Sequence, residues 1–350
     1  MNILIIGMGF AGDMYKNALL YLKKKNYHLN VAYQSNSDEG LGIAYYSTIE
    51  SALKNHCPSL VIITTNDIYH FEVLEKLKNF EGTILCEKPL VASQEELYKI
   101  KQSISNKTTL ILSTVIRFSY ASQKLKNFLK NKEFSIKKIN FTWKKNRFND
   151  YRPTVGVVSE IIHPLDTIQW LLNKHIDFQH IITTSSNYSV SRDINTLDSA
   201  FVLGKIGEGI VSGYSSFVSL QVERSIEIVI KDSILDKHYY ILLTFDKNEW
   251  FSDKLTIFQE TQNKYDEILK LNSMDIDADY EKRIERVLLM LKSIINSENS
   301  FSNLCLNHEA IELQSLLNYI SENSINSEVD YEFSPEDILK KELTNFDRIG

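Results

Sequence analysis

Two short stretches of this 350-residue chain carry side chains suited to moving protons and hydrides. The first is Leu85-Cys86-Glu87-Lys88-Pro89-Leu90, where a charged pair follows an apolar run. Pro89 fixes its own φ and cannot extend a strand, so the pair stands at a strand's end. A lysine there can donate to a substrate oxygen and stabilise alkoxide character as a hydride moves. A charge pair that simply ends a strand would leave the same residues. The second stretch is residues 156–172, GVVSEIIHPLDTIQWLL, in which His163, Asp166, Thr167 and Trp170 recur at helical spacing and share a face. A neutral imidazole there can accept a proton near pH 7. A histidine satisfied within an apolar core is the plainer reading of the same pattern. Pro164 removes an N–H and disfavours α geometry at residue 163.

These groups need a scaffold that delivers them to one place. The chain opens with ILIIGMGFAGDMY, four aliphatic residues running into Gly7, Gly9 and Gly12. An unbroken apolar run reads as a strand buried on both faces. Gly7 and Gly9 permit a tight turn and a close approach to the backbone, and Gly12 lets the next helix pack on the strand. The helix spans about 10–25, with Ala11, Tyr15, Ala18, Leu19 and Leu22 on one side. Its first-turn N–H groups and the positive end of its dipole suit a pyrophosphate, so Gly7, Met8, Gly9, Phe10, Ala11 and Gly12 are expected to contact a dinucleotide.

Strands and helices then alternate. Strands are expected at 28–33, 60–64, 83–86 and 109–113, and helices at 49–55, 69–77 and 95–103. This rhythm implies a doubly wound parallel sheet with ligands at the strands' carboxyl ends. Near residue 120 it changes. A helix at 121–131 precedes alternating segments, including Ile139, Phe141 and Trp143, and further strands at 225–231, 239–245 and 254–259. These imply an open, mostly antiparallel sheet with one covered face. Two amphipathic helices close the chain, the last starting near Asn307 as N-cap. The fold class is therefore α/β: a Rossmann domain over 1–120, then an α+β domain over 121–350 for substrate binding and oligomerisation.

Composition narrows the functions. Apolar residues make up 43%, and the net charge is −6 with no basic block, which argues against nucleic acid as a partner. No apolar run has membrane-spanning length, and the chain enters a strand at once, which leaves no room for a signal peptide. Three scattered cysteines, Cys57, Cys86 and Cys305, suggest a reducing cytoplasm, no disulfide framework and no metal site.

Together these segments resemble the glucose–fructose oxidoreductase/inositol dehydrogenase (Gfo/Idh/MocA) family. The resemblance rests on GMGFAG at 7–12, TTNDIYH at 64–70, EKP at 87–89 and His163-Pro-Leu-Asp166, in matching order and separation. It implies a nicotinamide dinucleotide in the first domain and a small carbohydrate-like substrate between the domains. It further implies Lys88 near the reacting carbon and His163 as the proton-transferring histidine. Thr64, Thr65, Asn66, Tyr69 and Glu87 join the cofactor contacts. Ser159 stands where family dehydrogenases often have Asp, with Glu160 beside it.

The end of the second strand bears on cofactor choice. An acid there would bind the ribose 2′-hydroxyl and repel a 2′-phosphate. This chain has Tyr33-Gln34-Ser35-Asn36, and acid appears only at Asp38. Ser35 and Asn36 tolerate a phosphate, which places NADP ahead of NAD. Arg147, Tyr151, Ser159 and Glu160 are candidates to line the substrate cleft, with Arg147 facing an anionic group; Trp143 as sheet core and Arg147 as a surface cation are the alternative. The leading reading is an NAD(P)-dependent oxidoreductase acting on a hydroxyl or ketone of a sugar, nucleotide sugar or polyol, working as a homodimer or homotetramer through the C-terminal sheet. An imine reductase and a cofactor-binding sensor that has lost catalysis are the competing readings.

Overall fold

A computed structural model describes residues 1–148, 154–188, 196–246, 252–262, 264–273, 284–296 and 301–329. The chain forms two compact units.

The first unit is built on a seven-stranded sheet. Its elements are β1 (Asn2–Ile6), α1 (Phe10–Lys24), β2 (Asn30–Gln34), β3 (Ala44–Tyr46), α2 (Ile49–His56), β4 (Leu60–Ile63), α3 (His70–Lys76), β5 (Thr83–Cys86), α4 (Gln94–Ser103) and β6 (Thr109–Leu112). β4 is aliphatic and buried throughout, and β1, β5 and β6 are apolar and buried on both faces after a half-buried polar first residue, as a sheet covered by helices demands. Strands β6-β5-β4-β1-β2-β3 pair in parallel. Their carboxyl ends therefore share one edge, where β1 runs into the glycine turn and β5 into Glu87-Lys88-Pro89.

The second unit holds a nine-stranded sheet behind the helix α5 (Tyr120–Leu129). Its first strand is β7 (Phe134–Asn146), followed by α6 (Val158–Leu172). Then come β8 (Ile176–Ser186), β9 (Thr196–Ile206), β10 (Gly209–Ser216), β11 (Val218–Asp232), β12 (Lys237–Phe245), β13 (Asp253–Thr261) and β14 (Lys264–Asn272). The pairing is antiparallel except where β10 runs parallel to β7 and where the strand at Ile325–Val329 runs parallel to β8. Side chains alternate: Ile139, Phe141 and Trp143 are buried, whereas Phe201, Leu203 and Ile210 are exposed. The stretches 176–186, 196–206 and 209–216 carry no strand in the sequence reading. Their polar residues, such as Ser185, Ser186, Thr196, Asp198 and Ser215, are buried here and interrupt the apolar alternation.

The expected division at residue 120 needs correction at the chain's far end. Ile284–Asn318 belongs to the first unit, not to a domain running from 121 to 350. It contains α7 (Glu285–Ile295), the two-residue strand β15 (Cys305–Leu306) and most of α8 (Asn307–Glu322). The physical reason is burial of apolar faces. Val287, Leu288 and Leu291 of α7 are buried, and this helix packs against α1. β15 adds an antiparallel edge strand to β6. The second unit keeps the strand that follows, β16 (Ile325–Val329).

Asn307 does open α8, but its side chain does not cap that helix. Its Oδ1 accepts the backbone N–H of Leu110 at 2.7 Å, which joins β6 to the helix start. No described helix is long and apolar enough to cross a membrane. Cys57, Cys86 and Cys305 are free thiols. Among the described residues, no group of three or more His, Cys, Asp or Glu is placed to hold a metal.

Candidate functional site

The glycine turn divides into glycines that the protein itself requires and one that it does not. Gly7 has φ +91, and a β-carbon there would lie 2.7 Å from the backbone nitrogen of Thr65. A β-carbon on Gly12 would lie 2.3 Å from the carbonyl oxygen of Gly7. Both positions are closed to any side chain by neighbouring backbone. Gly9 differs: its φ is −69, and nothing lies within 4 Å of the β-carbon it lacks. The space above Gly9 is open. Gly9 is also the N-cap of α1: its carbonyl accepts the Asp13 amide at 3.0 Å, but it has no side chain to cap the amides that precede Asp13. An open cradle at the positive end of a helix fits the pyrophosphate of a dinucleotide. Met8, Phe10 and Ala11 complete the turn, and Phe10 is exposed.

The neighbouring loop braces this turn. Thr64 Oγ1 donates to the carbonyl of Gly7 at 2.6 Å, so the hydroxyl expected at the cofactor is spent on the turn instead. Thr65 Oγ1 is buried without a hydrogen-bond partner. Asn66 caps the short helical turn Asp67–Tyr69, accepting from Ile68 N at 3.3 Å, and Tyr69 is exposed. The buried ring of His70 spans two carbonyls, with Nδ1 2.7 Å from Pro89 O and Nε2 3.0 Å from Thr65 O. This histidine thus ties the 64–66 loop to the Glu87-Lys88-Pro89 turn.

That turn is held from three sides. The Lys88–Pro89 bond is cis. Beyond it, Gln314 Oε1 accepts the amides of Leu90 at 2.8 Å and Val91 at 3.4 Å. Before it, Glu87 Oε1 accepts the hydroxyl of Tyr15 at 2.8 Å, and Glu87 Oε2 lies 3.4 Å from the Lys88 amide. Tyr15 is fully buried, and Ser113 Oγ is 2.9 Å from its oxygen. Burial, and then the neighbouring Glu87 charge, raise the phenol well above its ordinary range. Burial and Glu87 push the Cys86 thiol up in the same way. Tyr15 read only as a packing residue from sequence, and Gln314, more than 220 residues from Leu90, gave no signal at all.

At the end of β2, Ser35 Oγ donates to Ser37 O. Asp38 accepts from Tyr33 at 2.5 Å and from the Gly40 amide at 2.9 Å. The bond from Tyr33, then that from Gly40, holds this carboxyl below its usual range. The acid is therefore ionised and bent back onto Tyr33, while Ser35 and Asn36 carry no charge.

In the second unit the chemistry gathers on α6. Every residue of this helix is buried except His163 and Gln169. His163 is thus a partly exposed imidazole on an otherwise enclosed helix. The helix runs through Pro164 without ending, because burial on all sides outweighs one lost hydrogen bond to the Glu160 carbonyl. The His163 ring lies 5.8 Å from that of Trp143, centroid to centroid. Trp143 is core, as one of the two readings had it, and its Nε1 donates to Glu160 Oε1 at 2.9 Å. Lys145 Nζ is 3.1 Å and Arg224 Nη2 is 3.6 Å from the same carboxylate. Arg224 stands opposite Trp143 across β11 and β7 and also pairs with Asp246.

Glu160 is therefore a buried anion committed to three donors, which fits a brace under His163 better than a substrate contact. Ser159 is buried too, and its Oγ donates to Gly156 O at 2.9 Å. Arg147 lies over the Phe217 ring at 4.6 Å. Tyr151 lies outside the described residues. Asp166 does not face the histidine's chemistry: it takes Arg117 bidentately, Nε to Oδ2 at 3.0 Å and Nη2 to Oδ1 at 2.7 Å, with both side chains buried. Thr167 donates to the carbonyl of His163 at 2.8 Å, inside the helix. Arg117 was not legible as Asp166's partner, since 49 residues separate them.

Comparison with known proteins bears on the fold. Residues 1–114 match the Gfo/Idh/MocA oxidoreductase family, described by its NAD-binding Rossmann fold. No curated protein sequence matches the chain. Among solved structures, an oxidoreductase domain protein from Kribbella flavida superposes with a TM-score of 0.72 at 15% identity, covering 92% of this chain and 96% of its own. KijD10, a 3-ketoreductase from Actinomadura kijaniata solved with NADP and TDP-benzene, gives 0.67 at 11% identity, covering 94% and 99%. The transcriptional regulator Gal80p from Kluyveromyces lactis gives 0.68 at 14% identity, covering 92% and 90%. At these identities the likeness is one of fold, and the fold serves both enzymes and a regulator.

Proposed function

We propose, for a chain that belongs to the Gfo/Idh/MocA oxidoreductase family through residues 1–114, that it transfers a hydride between a nicotinamide dinucleotide and a hydroxyl or ketone carbon of a sugar, nucleotide sugar or polyol. The observation that carries this reading is the carboxyl edge of the first sheet. There the open cradle above Gly9 and the braced turn bearing Lys88 occur together. When bound, the dinucleotide supplies or accepts the hydride at its nicotinamide ring.

The protein's own residues do the rest. Gly7 and Gly12 let the turn close on itself, the open space at Gly9 admits the pyrophosphate, and the α1 amides donate to it. Lys88 donates to the substrate oxygen, steadying the negative charge that grows there as the carbon–hydrogen bond breaks. His163, partly exposed and backed by Trp143 and the Glu160 brace, accepts the hydroxyl proton in oxidation and returns it in reduction. The uncharged Ser35 and Asn36 support NADP(H) ahead of NAD(H).

The test is turnover with a panel of sugars, nucleotide sugars and polyols and both cofactors. Lys88→Ala should lower the rate of hydride transfer with little change in cofactor affinity. His163→Ala should slow turnover by about 10²–10⁴-fold and remove the near-neutral limb of the pH profile. Wild-type rates in either variant would refute the assignment. One observation favours a cofactor-binding sensor instead: Ser159, at the place where family dehydrogenases often carry Asp, is spent on Gly156 O. Cofactor binding without turnover across the panel would establish that second reading.

A further inference from the structure

Tyr15 has no part in the chemistry above, yet it carries the most deeply placed hydroxyl at this edge. It sits on α1, one turn beyond the glycine motif, with no exposed surface. Burying a hydroxyl is unfavourable unless it is hydrogen-bonded, and phenylalanine would fill the same space without that demand. The hydroxyl has two partners, and their order can be worked out. An ionised carboxylate only accepts, so the phenol's one proton goes to Glu87 Oε1 at 2.8 Å. The phenol oxygen must then accept from Ser113 Oγ at 2.9 Å. The chain of donors runs Ser113 to Tyr15 to Glu87. The other carboxylate oxygen, Oε2, lies over the backbone amide of Lys88 at 3.4 Å. Three segments meet here: α1, the end of β5 and the end of β6. Because burial and the Glu87 charge hold the phenol protonated, it stays a donor throughout the neutral range.

We infer that Tyr15 is a positioning residue for Lys88, acting through Glu87: its hydroxyl fixes the carboxylate that holds the Lys88 backbone at the cofactor edge. The inference rests on the reading of Lys88 given above. Tyr15 touches neither cofactor nor substrate in this role. The other anchors of the turn, His70 on Pro89 O and Gln314 on the Leu90 and Val91 amides, do not involve Tyr15 and supply internal controls.

Tyr15→Phe tests this with two measurements on the full chain. The first is amide hydrogen exchange without substrate, resolved by NMR or fragmentation mass spectrometry. The Lys88 amide should exchange about tenfold faster in Tyr15→Phe, while the Leu90 and Val91 amides stay within about twofold of wild type. The second is steady-state kinetics. kcat should fall by roughly tenfold with KM for the cofactor within about twofold, and Glu87→Gln combined with Tyr15→Phe should lose no more than Glu87→Gln alone. Uniform acceleration of exchange at Lys88, Leu90 and Val91, or a lowered Tm with unchanged Lys88 exchange, would show Tyr15 to be a packing residue and overturn the proposal. Faster Lys88 exchange with unaltered kcat would overturn its catalytic half. Should the wild type show no turnover, the exchange measurement still decides the positioning claim, so failure of the enzyme reading is told apart from failure of this one.

Discussion

Replacing Gly9 by valine separates the needs of the fold from the needs of the ligand. Around Gly7 and Gly12 the protein closes on itself. Alanine at Gly12 would bring a β-carbon 2.3 Å from a backbone oxygen that cannot swing away. Overpacking of this kind costs about 1–3 kcal/mol. Alanine at Gly7 meets backbone at 2.7 Å and is also forced to φ +91, a strain of about 1–3 kcal/mol in its own right. Gly9 has negative φ and open space around the absent β-carbon. Gly9→Val should therefore forfeit only a cap preference, about 1 kcal/mol or less. Its effect should appear in binding. A side chain filling the cradle would displace the pyrophosphate at a cost comparable to overpacking, so Kd should rise by about 5–150-fold. Calorimetric titration with NADP(H) and NAD(H), alongside thermal unfolding of wild type, Gly9→Val and Gly12→Ala, makes the comparison. An unchanged Kd in Gly9→Val would refute the cradle. So would a loss of Tm as large as that of Gly12→Ala.

Two further outcomes follow from the same structure. Ser35→Asp should reverse the preference for NADP(H) over NAD(H) by setting a carboxylate against the 2′-phosphate, read from the two Kd values; a wild-type preference for NAD(H) would refute the reading of the β2 end. Asp166→Asn should destabilise the second unit by about 3–5 kcal/mol, because the buried Arg117 guanidinium loses its bidentate carboxylate. Arg117→Met with Asp166→Leu should cost much less, and equal losses of stability in chemical denaturation would refute the ion-pair account.

How much of this could be read beforehand follows the range of the interactions. The aliphatic run, the glycine turn and α1 are local, and residues 2–24 fold as their spacing indicates. Strands β1, β2, β4, β5 and β6 of the first sheet announce themselves because their apolar residues are buried, whereas β3 and β15, three and two residues long, do not. Strands β8 to β10 do not, because buried serines and threonines break their apolar alternation. Glu160 carried a charge next to a motif and so resembled a ligand contact. Its partners on β7 and β11 become visible only once those strands pair. The same holds for Arg117 with Asp166 and Gln314 with Leu90, which are ordinary polar residues until the chain brings them together. Pro164 misled in the other direction, since a local preference against helix yielded to burial of the whole segment.

The return of Ile284–Asn318 to the first unit has a bearing on how the protein is made. A ribosome delivers β1 to β6 early, with the outer edge of β6 unpaired, until β15 arrives some 190 residues later. The Leu90 and Val91 amides also wait for Gln314. During that interval the nascent chain presents an open strand edge, the kind of surface that pairs with other chains. The second unit, by contrast, receives eight of its nine strands as one continuous stretch from β7 to β14. Completion of the first unit thus waits for residues 284–318, and a chain ended at residue 120 would lack both the edge strand on β6 and the side chain that accepts the Leu90 and Val91 amides.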